Sequence, residues 1–270
     1  MYSKMDYTSE SDYSSDDETF YKDEMLNFKR MYKVLGLLRR SSHAEIYLGR
    51  YRKNKTQVIM KIIKKKGNWR GEIQSHKLAT EVNKSGTALL LGVYERFDDI
   101  ILVIEKPSNS MDILDIVNQY GPINLAMVKK IIHQVAKSCV SYKNAGMIHC
   151  DIKDENVLLD PFTCRTKIID FGNSKLYGNG TIESSSFGTL EFYPPECLTH
   201  SQVESDPVTV YSIGCLAFIM LTGSCPFVSD QSFDFQKHIL FNKTLNLLEI
   251  KLLRKLLHTD PLKREKLENL

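Results

Sequence analysis

Short apolar runs separated by polar breaks dominate the chain between residues 32 and 105. They are rich in β-branched and aromatic residues, a composition that is typical of β-strands. One mixed stretch, GEIQSHKLATEV, interrupts the series and predicts a helix. The predicted strands are YKVLGLL, AEIYLGRY, QVIMKII, ALLLGVYERF and DIILVIEK.

The pattern becomes helical after Pro107. In LAMVKKIIHQVAKSCVSYKNAG, apolar residues recur at three- and four-residue steps, and Gly146 stands where a helix C-cap is expected. The region beyond Ser201 is also mostly helical in pattern. The sequence therefore predicts a small β lobe over residues 28–105 followed by a larger helical lobe over residues 106–270, joined near Glu105 to Pro107.

Residues 1–27 are rich in Ser, Asp, Glu and Tyr and contain few aliphatic side chains. Such a segment buries too little apolar surface to offset the entropy lost on ordering, so we predict a disordered tail. Ser9, Ser14 and Ser15 each have an acidic residue three positions later, which suits an acid-directed kinase. A solvated tail without a role is the alternative.

Composition narrows the possible functions. Among 270 residues, 36 basic and 33 acidic side chains give a net charge of +3, too small to indicate nucleic acid. The basic run KIIKKKGNWR is typical of a solvated turn. The six cysteines lack metal-binding spacing and predict free thiols in an intracellular, cytoplasmic or nuclear protein. The apolar stretch 208–223 predicts a buried core helix, and we expect a monomer that binds no membrane.

The stretch HCDIKDENVLLD carries a set of polar residues suited to phosphoryl transfer. Asp151 can accept a hydrogen bond from an attacking hydroxyl group, and Lys153 can lie beside the transferred phosphoryl group. Asn156 can bind Mg²⁺ through its amide oxygen, as can Asp170 in KIIDFG through its carboxylate. Upstream, Lys61 in the strand segment VIMK precedes Glu72 at a separation suited to an ion pair.

These motifs resemble the signature set of the protein kinases: H-x-D-x-K-x-x-N, then D-F-G, with V-x-x-K before and P-P-E after them. Lys153 and Thr189 are similar to the serine/threonine branch. The segments IEKPSNSMDILDIV, KDEN and PPE resemble the PIM kinases most. The resemblance implies a bilobal kinase fold, with an antiparallel β-sheet N-lobe containing one main helix and a mainly helical C-lobe. It also implies transfer of the ATP γ-phosphate to Ser or Thr in basic protein segments.

The resemblance also assigns residues to roles. Asp151 and Lys153 are the implied catalytic residues, and Asn156 and Asp170 the implied Mg²⁺ ligands. Asp112 is implied to bind basic substrates and can also be the N-cap of the helix DILDIV, and both roles can hold. Arg264 is expected to form a structural pair with Glu196. The implied ATP-binding residues are Leu38, Ile46, Ile59, Lys61, Glu72, Glu105, Leu158, Asn156 and Asp170. The implied substrate-binding residues are Asp112, Asp115, Glu155 and Thr189.

The sequence departs from the kinase pattern in the phosphate-binding loop. Arg39, Ser41 and Ala44 occupy the positions of its three glycines, at an expected cost of about 1–2 kcal/mol wherever a left-handed backbone is required. His76 stands where an apolar residue is usual, and Cys150 replaces the arginine that commonly binds a phosphorylated activation loop. An active kinase with weakened nucleotide binding is the favoured hypothesis. A pseudokinase that serves for binding or scaffolding is the alternative.

Overall fold

The computed structural model describes residues 15–41, 44–177, 180–186, 188–189, 192–226 and 244–270. The chain divides into two compact units. The first comprises residues 1–67 and 90–106, and the second comprises residues 68–89 and 107–270. Each unit is built around its own secondary structure.

The first unit is an antiparallel sheet of five strands, in the order β1-β2-β3-β5-β4. All five predicted strands are present, although β1 is exposed at every position after Tyr32 and is held in the sheet by its pairing with β2. The strand β5 is buried along most of its length. The strands are β1 (Tyr32–Arg40), β2 (Ala44–Tyr51), β3 (Gln57–Lys64), β4 (Leu90–Glu95) and β5 (Asp99–Glu105).

A helix, α1 (Ser15–Met31), precedes the sheet and differs from the predicted disordered tail. The sparse apolar residues of this segment converge at its end, where Phe28 is buried with Tyr32 and Tyr94. The Glu24 carboxylate also accepts the backbone N–H of Glu95 at 2.6 Å. A few large side chains thus dock a segment whose average composition indicates disorder. Residues 1–14, which include Ser9 and Ser14, lie outside the described residues.

The second unit is mainly helical. Its long central helix, α6, is buried from Val208 to Leu221, which confirms the predicted core helix. By length and composition alone α6 could cross a membrane, but 78% of it is buried inside the protein, as is usual for a core helix. The helices of this unit are α2 (Trp69–Val82), α3 (Ile113–Tyr120), α4 (Leu125–Asn144), α5 (Pro195–Thr199), α6 (Ser205–Thr222) and α7 (Leu247–Leu256).

Short strands in the second unit bring the polar motifs into position. They form a three-stranded sheet, β6-β8-β9, and two two-stranded ladders, β7-β10 and β11-β12. The strands are β6 (Met111–Asp112), β7 (Met147–Ile148), β8 (Val157–Asp160), β9 (Arg165–Ile168), β10 (Lys175–Leu176), β11 (Thr181–Glu183) and β12 (Gln202–Glu204).

The α+β class is confirmed, with a mainly antiparallel β region first and a mainly helical region after it. The units do not coincide with the predicted lobes, because α2 groups with the second unit. The His76 imidazole, on α2, bonds the Ala88 carbonyl oxygen at 2.7 Å, and the Ala88 N–H donates to the Ile168 carbonyl at 3.1 Å. These bonds join α2 and the loop after it to β9.

Candidate active site

The loop that follows β7 holds the candidate catalytic residues in a tight backbone conformation. Cys150 has a φ of 61°, and the next residue is Asp151. A short 3₁₀ helix then runs from Asp154 to Asn156 and leads directly into β8. A left-handed backbone is costly for a residue other than glycine, so the surrounding bonds must stabilise this turn.

The carboxylate of Asp151 accepts three side-chain hydrogen bonds. Thr189 Oγ1 donates to Oδ1 at 2.7 Å, and Asn156 Nδ2 donates to Oδ2 at 2.9 Å. Asn173 Nδ2 adds a longer bond to Oδ2, at 3.4 Å. The Asp151 side chain is only 8% exposed, so these bonds replace water that burial has removed.

Position 188 has to be a glycine because the side chains of Asp151 and Asn173 leave no room for a Cβ atom there. A Cβ atom at this position would lie 2.3 Å from Asn173 Nδ2 and 2.8 Å from Asp151 Oδ1. Its N–H also donates to the Cys150 carbonyl oxygen at 3.1 Å. The residue therefore fixes the backbone beside the carboxylate, and only glycine fits there without displacing Asp151.

Lys153 supplies positive charge to the same cluster. Its Nζ atom donates to Thr189 Oγ1 at 2.9 Å and lies 3.1 Å from Glu155 and 3.5 Å from Asp151. Burial lowers the pKa of Lys153, but the carboxylates of Asp151 and Glu155 outweigh burial and raise the pKa overall. The ammonium group is therefore retained across the physiological range.

Asn156 and Asp170 present the oxygen ligands that a Mg²⁺ site requires. The amide nitrogen of Asn156 is committed to Asp151, so its amide oxygen is the atom left for a cation. Asp170 is exposed, has a φ of 63° and accepts the Gly172 N–H at 3.2 Å. Hard oxygen donors of this kind fit Mg²⁺, which commonly takes one or two protein ligands. The described residues contain no larger cluster of His, Cys, Asp and Glu suited to a metal.

Phe171, which follows Asp170, is fully buried in an aromatic cluster. Its ring stacks on the His76 imidazole with centroids 4.7 Å apart. Tyr142 and His149 contact it edge-on, at 5.7 Å and 5.0 Å. The Tyr142 hydroxyl is in turn bonded to Thr87 at 2.8 Å. The His76 ring therefore packs as a core residue and extends the cluster to α2, where an apolar side chain is usual.

The buried imidazole of His149 joins the two candidate loops. Its Nε2 atom lies 3.1 Å from the Ile169 carbonyl oxygen, and its Nδ1 atom lies 3.3 Å from the Asp151 backbone nitrogen. The neutral ring with hydrogen on Nε2 satisfies both bonds, because Nε2–H donates to the carbonyl and Nδ1 accepts the amide N–H. Burial lowers the pKa of His149, against the opposing effect of the Asp151 and Asp170 carboxylates.

Two further residues of the second unit complete its part of the candidate site. Glu72 is buried, and its Oε2 atom would lie 3.2 Å from a Cβ atom added to Gly172. The carboxylate therefore lies beside the D-F-G segment. Leu158 pairs with Asp112 and Lys167 in the sheet.

Cys150 is buried, and burial raises the pKa of its thiol to about 12, so the group is a poor nucleophile.

The predicted nucleotide-binding residues of the first unit lie on four strands. Ile46 pairs with both Arg39 and Lys61, which places these three residues in one row across the sheet. Ile59 pairs with Leu48 and Ile104 in a second row, two positions along the strands from the first. Leu38 lies on β1, where it is exposed, and Glu105 pairs with Val58 at the end of β5. The structure groups these residues on one sheet, and their contact with ATP stays a prediction.

The loop between β1 and β2 does not need glycine in the way that we expected. None of Arg39, Ser41 and Ala44 has a positive φ, so the expected cost of a left-handed backbone does not arise. Ser41 closes the turn, because its N–H and its hydroxyl both bond the Ala44 carbonyl oxygen, at 2.9 Å and 3.1 Å. Residues 42 and 43 lie outside the described residues.

The predicted substrate-binding acids differ in their surroundings. Asp112 is the N-cap of α3 and accepts the Asp115 N–H at 2.7 Å, which confirms its capping role. Asp115 itself is exposed in the first turn of α3. Glu155 contacts Lys153, as described above. The expected structural pair is also present: Arg264 is bound to Glu196, with Nη2 and Oε2 2.7 Å apart.

The segment after the D-F-G motif is positioned by backbone pairing. Strand β11 pairs with β12 in an antiparallel ladder, and Ser184 N–H donates to the Ser201 carbonyl oxygen at 3.0 Å. Ser184–Ser186 forms a 3₁₀ helix directly after β11. This ladder orders the described part of the segment through main-chain bonds, which fits the absence of an arginine at position 150.

The protein kinase domain family matches residues 32–270, and so covers nearly all of the chain after α1. The chain belongs to this family. The motifs that indicated it from the sequence are therefore genuine kinase motifs. The H-x-D-x-K-x-x-N and D-F-G motifs lie in the second unit, where Asn156 and Lys153 contact Asp151, and Asn173, three residues after Asp170, donates to it.

Several curated serine/threonine-protein kinases are similar to this chain. Pim-2 of Danio rerio is 32% identical over 136 residues, which cover 49% of this chain and 42% of the relative. Prk-2 of Caenorhabditis elegans is 27% identical over 214 residues, covering 76% and 48%. RAD53 of Saccharomyces cerevisiae is 28% identical over 202 residues, covering 68% and 24%. The predicted likeness to serine/threonine kinases, PIM kinases included, is confirmed, and the matched region spans less than half of each relative.

Sequence reasoning missed Asn173 and Gly188 as parts of the site. Asn173 lies three residues after Asp170, and Gly188 immediately precedes Thr189. The pattern GT ahead of PPE was a signal for Gly188, since a glycine beside a functional residue often permits a close approach. The contact of Asn173 with Asp151 joins loops that are 22 residues apart, and no local pattern indicates it.

We predict that stability falls when the pH drops through about 6.5, the value of an unperturbed imidazole. Burial holds the pKa of His149 below that value in the folded protein, so the unfolded chain binds the proton more readily and folding loses free energy. Urea unfolding followed by circular dichroism at about pH 7.5 and about pH 5.5 measures the loss. His149→Gln should reduce this difference, because the amide can still donate to Ile169 but does not titrate. His133→Gln, on the exposed side of α4, is the control, and an equal reduction there would contradict the prediction.

Proposed function

We propose that this protein is an ATP-dependent serine/threonine-protein kinase that phosphorylates Ser or Thr in basic protein segments. The observation that carries the proposal is the cluster at Asp151. A nearly buried carboxylate is oriented by Asn156 and Thr189, with the Lys153 ammonium 3.5 Å away. Membership of the protein kinase family and similarity to serine/threonine kinases support the same activity.

Each group has a defined task in the proposed transfer. The Asp151 carboxylate accepts a hydrogen bond from the substrate hydroxyl and orients its oxygen toward the phosphorus atom. Lys153 places positive charge near the equatorial oxygens of the transferred group, where negative charge is spread in the transition state. Thr189 bonds both residues and so keeps them in register. The hydroxyl proton leaves toward Asp151 as the new O–P bond forms and the bond to the ADP oxygen breaks.

Asn156 and Asp170 would hold the magnesium ion that accompanies ATP. When bound, Mg²⁺ neutralises phosphate charge and favours the departure of ADP. On the protein side, the Gly172 N–H holds the Asp170 carboxylate and Asp151 holds the Asn156 amide. Lys61 is the proposed partner of the nucleotide phosphates, by resemblance to the lysine of V-x-x-K, and Glu72 corresponds to the helix residue that forms an ion pair with that lysine in the family.

Three carboxylates of the second unit support a preference for basic substrates. Asp112 is the N-cap of α3, and Asp115 lies in the first turn of that helix. Glu155 lies on the 3₁₀ helix of the candidate catalytic loop. Arginine side chains form strong, often bidentate, hydrogen bonds with carboxylates of this kind. Asp115 is exposed, and Asp112 is only partly buried, so both can meet a peptide while Asp112 also caps α3.

We predict that Asp151→Asn lowers the turnover of an Arg-rich Ser/Thr peptide by about 10²–10⁴-fold, as for the loss of a positioned proton acceptor. Transfer of radiolabelled γ-phosphate measures the turnover, and calorimetry should show that the variant still binds MgATP. Asp98→Asn, an exposed carboxylate in the first unit, is the matched control and should turn over like the wild type. Label transfer that persists in Asp151→Asn would come from a contaminating kinase. A wild-type protein without turnover would favour a pseudokinase.

A second prediction separates the two roles of Asp112. Asn caps a helix about as well as Asp, so Asp112→Asn should keep α3 intact but raise the KM of an Arg-rich peptide by about tenfold. The KM of the same peptide with Arg replaced by Ala should change little. Glu81→Gln, which removes an exposed charge from α2, is the control. A wild-type KM for Asp112→Asn would show that the residue acts only as a cap.

A further inference from the structure

A groove along α7, here the α7 groove, is separate from the candidate active site and has the opposite charge. Its volume is about 490 Å³, within the usual range of ligand-binding clefts. Among the described residues, its lining contains no acidic side chain and consists of Leu247, Ile250, Lys251, Arg254, Lys255, His258 and Lys263. This surface concentrates basic charge on a chain whose net charge is only +3.

Two of the four cations in the α7 groove form no ion pair with any carboxylate in the described part of the chain. Lys255 pairs with Glu265 at 2.9 Å, and Lys263 pairs with Asp260 at 3.6 Å. Over the described ranges, neither Lys251 nor Arg254 lies within ion-pair distance of a carboxylate, and both are exposed. The groove therefore carries charge that an external acidic group can complement.

The α7 groove also presents aliphatic surface. Leu247, at the start of α7, is 84% exposed. Ile250 adds a partly buried side chain to the lining. An exposed leucine one helical turn before Lys251, which has no ion-pair partner in the described residues, is typical of a surface that binds a partner with both acidic and apolar residues.

The helix that carries this surface is rigid before any partner binds. Asn246 and Glu249 form a reciprocal capping box at its start, with bonds of 2.8 Å and 3.1 Å. Leu253 and Leu256, on the opposite face, are fully buried in the core of the second unit. Little ordering entropy is lost when a partner binds to a preformed site.

We propose that the α7 groove binds an acidic peptide segment of a partner protein, one that contains aliphatic residues among its Asp and Glu. The described lining also includes the imidazole ring of His258, on which a base could stack, so single-stranded DNA is one of the ligands compared below. An α-helix of ten residues is about 15 Å long, which matches an extended segment of about five residues. The inference does not depend on the proposed kinase activity.

Fluorescence anisotropy with the whole protein tests the proposal. The probe is a labelled peptide of about eight residues containing only Glu, Leu and Gly, which has no hydroxyl group to phosphorylate and the wrong charge for the basic-substrate site. We expect saturable binding that weakens as salt is added. Lys251→Glu combined with Arg254→Glu should reduce the affinity by about tenfold or more. Replacement of the peptide leucines by glycine should reduce it as well.

The matched control is Lys129→Glu combined with Lys137→Glu, which makes the same change of charge on the exposed side of α4. It should alter the affinity by less than about twofold. Lys251→Ala with Arg254→Ala gives a milder variant should the charge reversal unfold the protein. The proposal is overturned if the peptide does not bind or if the control weakens binding as much as the groove variants. Tighter binding of single-stranded DNA or of phosphatidylserine vesicles would overturn it too.

Discussion

The structure of the second unit depends on the need to keep one carboxylate oriented where water is almost excluded. Asp151 is nearly buried, and a buried carboxylate without partners is strongly destabilising. Its oxygens therefore accept bonds from Asn156, Thr189 and Asn173, while Lys153 provides the balancing charge. The left-handed turn at Cys150 and the absence of a side chain at Gly188 both follow from this arrangement.

A cluster of aromatic rings connects the backbone of Asp151 to the helix α2. His149 bonds the Asp151 amide on one side and the Ile169 carbonyl on the other. Its ring contacts Phe171, which stacks on His76 of α2. Because interiors are close-packed, a shift of Phe171 has to move these rings together. The position of Asp170, next to Phe171, is thereby coupled to the position of α2 and its residue Glu72.

The fold class and the candidate catalytic loop were predictable from the sequence because they depend on patterns of neighbouring residues. Strand alternation, helical periodicity and the spacing in HCDIKDEN indicated the α+β class and the candidate catalytic loop. The helix α1 was not predictable, since its docking depends on one buried residue, Phe28, and on pairing of Glu24 with a strand that lies 71 residues further along the chain. The average composition of residues 1–27 hides such contacts.

The remaining differences also arise from long-range packing. The phosphate-binding loop was expected to be strained without glycine, yet Ser41 closes its turn with a side-chain bond and a negative φ. The grouping of α2 with the helical unit depends on the bond from His76 to Ala88 and on the stack with Phe171. Hydrophobic patterns along the chain predict helices and strands well, but they do not show which of these elements pack against each other.

We propose that Asp170 holds magnesium together with ATP, while Asp151 orients the substrate hydroxyl group. Calorimetric titration of the whole protein with ATP, in the presence and absence of Mg²⁺, is the decisive measurement for the role of Asp170. We expect Mg²⁺ to tighten ATP binding in the wild type and Asp170→Asn to remove this gain. A wild type whose ATP affinity is the same with and without Mg²⁺, or that binds no ATP at all, would contradict it.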